Sequence, residues 1–129
     1  MRILVTALVA FVAIEHFGFL VLEMFLWTKP IGMGVFGLTP EFAAQSASLA
    51  ANQGLYNGFL SAGLIWSLVS SKDAYGKKVF FLTCVIVAGL FGAATASPSI
   101  LFVQALPAAI TLAFVWQSNR SAADRGAPA

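Results

Sequence analysis

The chain has 129 residues, 60% of them hydrophobic and only 9% charged, with a mean hydropathy of +0.90. A soluble domain carries about 25% charged residues, so this composition excludes a soluble globular protein. A net charge of +2, thinly spread, excludes nucleic-acid binding, and a lone cysteine, Cys84, excludes an internal disulfide or a cysteine-rich metal site.

The first apolar run covers residues 3–27 and is interrupted only by Glu15, His16 and Glu23. It runs well past the 7–15 residues, roughly, of a signal-peptide core and has no convincing cleavage site, so it reads as a retained membrane helix. Trp27 and Lys29 close it with an interfacial aromatic and a cation. Residues 28–38 follow, rich in Gly32, Gly34 and Gly37 with Met33 and Phe36, and read as a flexible, greasy loop able to fold back as a lid.

A second helix starts cleanly. Thr39 can cap it, Pro40 suits the first helical position, and Glu41 suits the positive end of the helix dipole. It runs to about Ser70, longer than a bilayer core requires, so 40–48 is placed at the membrane surface and 49–69 within it. The third span is expected over 79–96 and the fourth over 99–116, joined by a turn at Ser97, Pro98 and Ser99. Residues 118–129 read as a polar cytoplasmic tail. In the third span, Ala88, Gly92 and Ala96 recur every fourth position and predict close helix packing, as do Gly54, Gly58 and Gly63 in the second. Cys84 reads as a small core hydrophobe.

The expected fold is therefore an all-α integral membrane protein, a bundle of four transmembrane helices. Orientation follows from the cations. Arg2, Lys72, Lys77, Lys78, Arg120 and Arg125 share one side, and Lys29 stands alone on the other. The positive-inside rule puts both termini in the cytoplasm, so the expected location is a bacterial cytoplasmic (inner) membrane.

Charged groups at the bilayer centre cost at least about 2.5–3.5 kcal/mol, so Glu15, His16 and Glu23 need compensation. His16 and Glu23 lie about 20° short of two full turns apart and share a face, with Phe19 between them; Glu15 points about 100° away from His16. The second helix carries Asn52, Gln53, Tyr56 and Asn57 within an arc of about 140°. The fourth supplies Gln104, one turn before Pro107.

Depths agree as well. Glu23 and His16 lie about 6 Å and 16 Å below Trp27, Asn57 about 12 Å below Leu49, and Gln104 about 8 Å below Ser99. These spacings predict one outward-facing polar pocket made of Glu15, His16, Glu23, Asn52, Gln53, Asn57 and Gln104. The bland alternative is that these groups are interhelical hydrogen-bond glue, worth about 0.6 kcal/mol each.

Four blocks resemble a known family: Glu15-His16-Phe17 with Leu22-Glu23-Met24-Phe25-Leu26-Trp27; Ala51-Asn52-Gln53-Gly54-Leu55-Tyr56-Asn57-Gly58; Cys84 to Gly89 with Gly92 and Thr95; and Gln104-Ala105-Leu106-Pro107-Ala108. The chain is similar over about 15–108 to the small bacterial membrane proteins catalogued as domain of unknown function 1304. The resemblance implies a four-helix integral membrane protein and assigns no activity, catalytic residue or cofactor.

Three functions fit the residues. One is binding or transport of a small molecule, cation or proton through the polar pocket. A second is an accessory or structural subunit of a membrane complex. A third is a membrane-embedded acid–base enzyme on a lipid-like substrate, in which His16 and a glutamate move a proton. The expected partners are the lipid bilayer and either a second copy or a membrane-complex subunit. No metal site is expected, because Glu15, His16 and Glu23 are spread too far along one helix to reach one ion.

Overall fold

Backbone groups in a chain this apolar must satisfy one another within each segment, and helices do so without water. In the computed structural model, which describes residues 1–124 and Gly126, every regular element among the described residues is helical. The elements are α1 (Arg2–Met24), α2 (Pro30–Phe36), α3 (Pro40–Val69), α4 (Ala74–Thr95), a π-helical turn (Leu101–Ala105) and α5 (Leu106–Ala123).

Three helical segments are long and apolar enough to cross a membrane by length and composition: Arg2–Met24, Ala74–Thr95 and Leu101–Ala123. The expectation of four spans is reduced to three on this measure. The exception is α3, which has 30 residues but carries Asn52, Gln53, Asn57, Ser61 and Ser67 among its apolar ones.

The expected element boundaries hold best where a capping residue sets them. The Thr39 hydroxyl accepts from the Phe42 amide (3.3 Å) and Pro40 opens α3 as expected. Asp73, in the left-handed region (φ 50°), accepts from the Gly76 amide at 3.2 Å and starts α4 before the expected position 79. The Ser97–Ser99 turn is in place, with the two hydroxyls 2.8 Å apart. α5 continues to Ala123, beyond the expected end near Trp116, and Arg125 and 127–129 of the expected tail lie outside the described residues. Pro107 lacks an amide hydrogen, and the preceding turn widens to a π-helix instead of breaking.

The 28–38 segment is not a flexible loop. It folds into α2, whose Gly32 sits so close to the Leu26 carbonyl that an added Cβ would lie 1.9 Å from that oxygen. Gly37, at φ 63°, ends α2 in the left-handed conformation that glycine adopts without cost.

The chain divides into two compact units. One comprises Met1–Ala13 and Ala62–Ala129. Its core contains Val5, Val9, Val12, Leu64, Leu82, Val85, Ala105, Ala108 and Val115. Here Gly63 lies against the Phe81 ring, Gly89 against Ala105 and Gly92 against Ile100. The packed stripe of α4 is therefore Leu82, Val85, Gly89 and Gly92, whereas Ala88 and Ala96 of the expected stripe are exposed. Cys84 is half-buried beside it. The other unit is Ile14–Ser61: the end of α1, α2 and most of α3.

Candidate functional site

Within the Ile14–Ser61 unit, Gly54 and Gly58 stand four residues apart on one face of α3 and bring two helix backbones close together. A Cβ added at Gly54 would lie 2.7 Å from Met24 Cγ, 3.1 Å from Glu23 Cβ and 3.2 Å from the Leu20 carbonyl; one at Gly58 would lie 2.5 Å from Leu20 Cδ1. Met24 thus faces Gly54 and Leu20 faces Gly58, an antiparallel register held by small residues.

That approach delivers Asn57 to Glu23. The Asn57 amide Nδ2 donates to Glu23 Oε2 at 2.7 Å, and both residues are half-buried. His16, two turns back along α1, is fully buried, and its ring makes a T-shaped contact with that of Phe19, 5.6 Å between centroids. The same register, carried one turn beyond Leu20 and Gly58, puts His16 level with Ser61, which is itself buried. Glu15 stands next to His16 in sequence, and its Oε2 is buried with no hydrogen-bond partner among the described residues.

Of the seven predicted pocket residues, the structure brings Glu23 and Asn57 into contact and places His16 on the interior of the same helix. Asn52 and Gln53 do not join them and are exposed. The reason is angular: the Gly54–Gly58 stripe is the face that packs on α1, and Gln53 and Asn52 sit about 100° and 200° round from Gly54. Tyr56 is likewise exposed, with its ring 6.2 Å from that of Phe59. Gln104 is half-buried in the π-helical turn and belongs to the other unit.

The 28–38 segment, expected to supply a mobile cover, is tied down on both sides. The Trp27 indole donates to the Ser46 hydroxyl (3.0 Å), which donates to the Phe42 carbonyl (2.6 Å), and the Phe36 ring of α2 lies 4.8 Å from that of Trp27. Sequence reasoning assigned no role to Ser46 or Ser61. Ser61 was findable, one turn beyond Asn57 on the same face. Ser46 was not, because nothing local marks it as the acceptor of an indole 19 positions away.

Chemically, the α1 strip offers two carboxyls and an imidazole along one helix, groups able to take up and pass protons. No group of three His, Cys, Asp or Glu among the described residues is placed to hold a metal ion.

Comparison with known proteins gives a family and no activity. Residues 10–116 match the family described as protein of unknown function (DUF1304), and the chain belongs to that family. It is 31% identical over 106 residues to the uncharacterized protein YpaA of Lactococcus lactis subsp. lactis (strain IL1403), an alignment covering 81% of this chain and 89% of the relative. No solved structure matches it.

Proposed function

We propose that this DUF1304 protein is a four-span protein of the bacterial cytoplasmic membrane, both termini in the cytoplasm, in which Glu15, His16 and Glu23 take up a proton or small cation from the outer side. Three spans meet the length and composition requirement. The fourth is α3, which has the length and lies antiparallel to α1 through Gly54 and Gly58, hiding its most polar contact, Asn57, against Glu23. The positive-inside rule supplies the orientation, with Arg2, Lys72, Lys77, Lys78 and Arg120 against Lys29. The match to a Lactococcus protein supports a bacterial source.

The observation that carries the proton reading is Glu15 Oε2. Hydrogen-bond glue satisfies both partners, as Glu23 and Asn57 do. A buried carboxyl oxygen that accepts nothing has binding capacity left over, and an ionisable group inside a membrane segment is a functional candidate by default.

The test is proton uptake by the purified protein in liposomes loaded with a pH-sensitive dye. The parent should acidify the lumen under an imposed proton gradient, and Glu15→Gln, which keeps the side-chain shape, should abolish the signal. Equal signals from both proteins, or none above protein-free liposomes from the parent, overturn the reading.

A further inference from the structure

The α5 helix carries a second feature that the proton reading does not use. A cavity of about 370 Å³ runs along it, lined by Ala113, Phe114, Trp116, Gln117, Arg120 and Ser121. The lining changes character along the axis: Ala113 and Phe114 are apolar, Trp116 is amphipathic, and Gln117, Arg120 and Ser121 are polar. This order follows from helical spacing, because 113, 116, 117 and 120, together with 114 and 121, fall on one side of a 3.6-residue helix. It is also the order of an amphiphile, with the acyl chain towards the middle of the helix and the headgroup at its C-terminal end.

Arg120 is held for this role. Its guanidinium stacks over the Trp116 ring, 4.4 Å from the centroid. Stacking uses the face of the guanidinium and leaves its in-plane N–H fork free, the arrangement that grips a phosphate through two parallel hydrogen bonds. Among the described residues no ion pair ties Arg120 to a carboxylate, Asp124 one turn on included. The same unit repeats the device: Lys77 Nζ lies 4.7 Å from the centre of the Trp66 ring, where α3 gives way to α4. The turn at Ser97–Ser99 reverses the chain between α4 and α5, so both tryptophan–cation pairs stand at the lysine- and arginine-rich end of this unit.

We propose that the α5 groove is a binding site for one anionic phospholipid. Arg120 and Ser121 hold the headgroup phosphate, Gln117 hydrogen-bonds the headgroup or glycerol oxygens, and Phe114 and Ala113 pack the start of an acyl chain. A general aromatic belt would favour any phospholipid. The free fork of Arg120, at the cation-rich end of this unit, selects negative headgroups. This inference rests on the membrane reading above but not on the role of Glu15.

Native mass spectrometry of the full-length protein in a neutral detergent tests it, with phosphatidylglycerol and phosphatidylcholine of identical acyl chains offered separately. The parent should retain phosphatidylglycerol several-fold more than phosphatidylcholine. Arg120→Gln should bring the two to the same level, and Arg2→Gln, which removes the same charge outside the groove, should leave the preference intact. Arg120→Lys keeps the charge, loses the fork and should fall between parent and Arg120→Gln, which keeps the test open if Arg120→Gln does not fold. Excess inorganic phosphate should not displace the lipid; displacement would make free phosphate the ligand and overturn the proposal. So would a parent without headgroup preference, or an unchanged preference in Arg120→Gln. Glu15→Gln should bind lipid as the parent does, so failure here and failure of the proton reading are separate results.

Discussion

Asn57 donates to Glu23 across 34 positions of sequence, and it reaches the carboxylate because its neighbour Gly58 has no side chain to hold the helices apart. The bond fixes the rotation of α3 against α1 as well as their distance. Asn57→Ala removes the donor, leaves Glu23 Oε2 half-buried without it and should destabilise the protein by about 1–2 kcal/mol. Glu23→Gln keeps an acceptor oxygen and should cost less. Thermal unfolding in detergent measures both, and the Asn57→Ala/Glu23→Ala double variant should be less damaged than the two single losses added together. Additive losses would mean that the contact contributes nothing.

The glycines should rank by what a methyl group would strike. Gly32→Ala meets the Leu26 carbonyl oxygen at 1.9 Å, backbone that cannot swing aside, and should be the most damaging. Gly54→Ala meets Met24 Cγ, Glu23 Cβ and the Leu20 carbonyl and should cost about 1–3 kcal/mol. Gly58→Ala meets only the far end of the Leu20 side chain and should cost less. Gly18→Ala has nothing within 4 Å and should stabilise α1 by up to about 1 kcal/mol. Melting temperatures of the four variants test the order, and a Gly58→Ala loss larger than that of Gly32→Ala would refute the geometry.

Topology is open to direct measurement. Reporter fusions after Ser71 and after Ala129 should read cytoplasmic, and one inserted in residues 32–38 should read external, as the cation distribution requires. A fusion after Ala129 that reads outside, with Ser71 inside, would leave three spans and remove α4 or α5 from the membrane.

Sequence made the helices legible wherever a residue type has one local use. Thr39 and Pro40 mark the start of α3, the Ser97–Pro98–Ser99 turn marks the break between α4 and α5, and the apolar runs mark the three helical segments long and apolar enough to cross a membrane. It also grouped Glu23, Asn57 and His16 in one expected pocket. It failed where the answer depends on which of several similar faces packs. Asn52 and Gln53 belonged to the same expected pocket as Asn57, but the glycine pair, not the cluster of amides, decides which side of α3 meets α1. The α4 stripe was misplaced for the same reason: Ala88-Gly92-Ala96 and Gly89-Gly92 are both small-residue patterns, and Ala105 on the π-helical turn selects Gly89. The pinning of Trp27 by Ser46 is tertiary and leaves no local trace.

The indole–hydroxyl–carbonyl chain from Trp27 through Ser46 to Phe42 should therefore be separable from the glycine contacts. Ser46→Ala removes the acceptor of the indole and should cost about 0.5–1.5 kcal/mol. Its local effect should be larger than its global one: amide hydrogen exchange in residues 28–38 should accelerate while that in α4 stays unchanged. Unchanged exchange in 28–38 would mean that Gly32 against Leu26 alone holds α2 in place.

Glu15 should behave in the opposite sense to Glu23. Its buried Oε2 accepts no hydrogen bond among the described residues, so the folded protein bears a desolvation cost that nothing offsets. Glu15→Leu removes that oxygen, keeps much of the side-chain volume and should raise the melting temperature. Glu15→Gln keeps a polar group at the same place and should leave it near that of the parent. Stabilisation on losing a charged residue is the signature of a group kept for function at the expense of folding, since binding sites commonly trade stability for activity. In proton uptake both variants should differ from the parent in the same way, each losing it. If Glu15→Leu instead melts well below the parent, Glu15 is holding a structural partner, and the accessory-subunit reading of this helix gains over the proton reading.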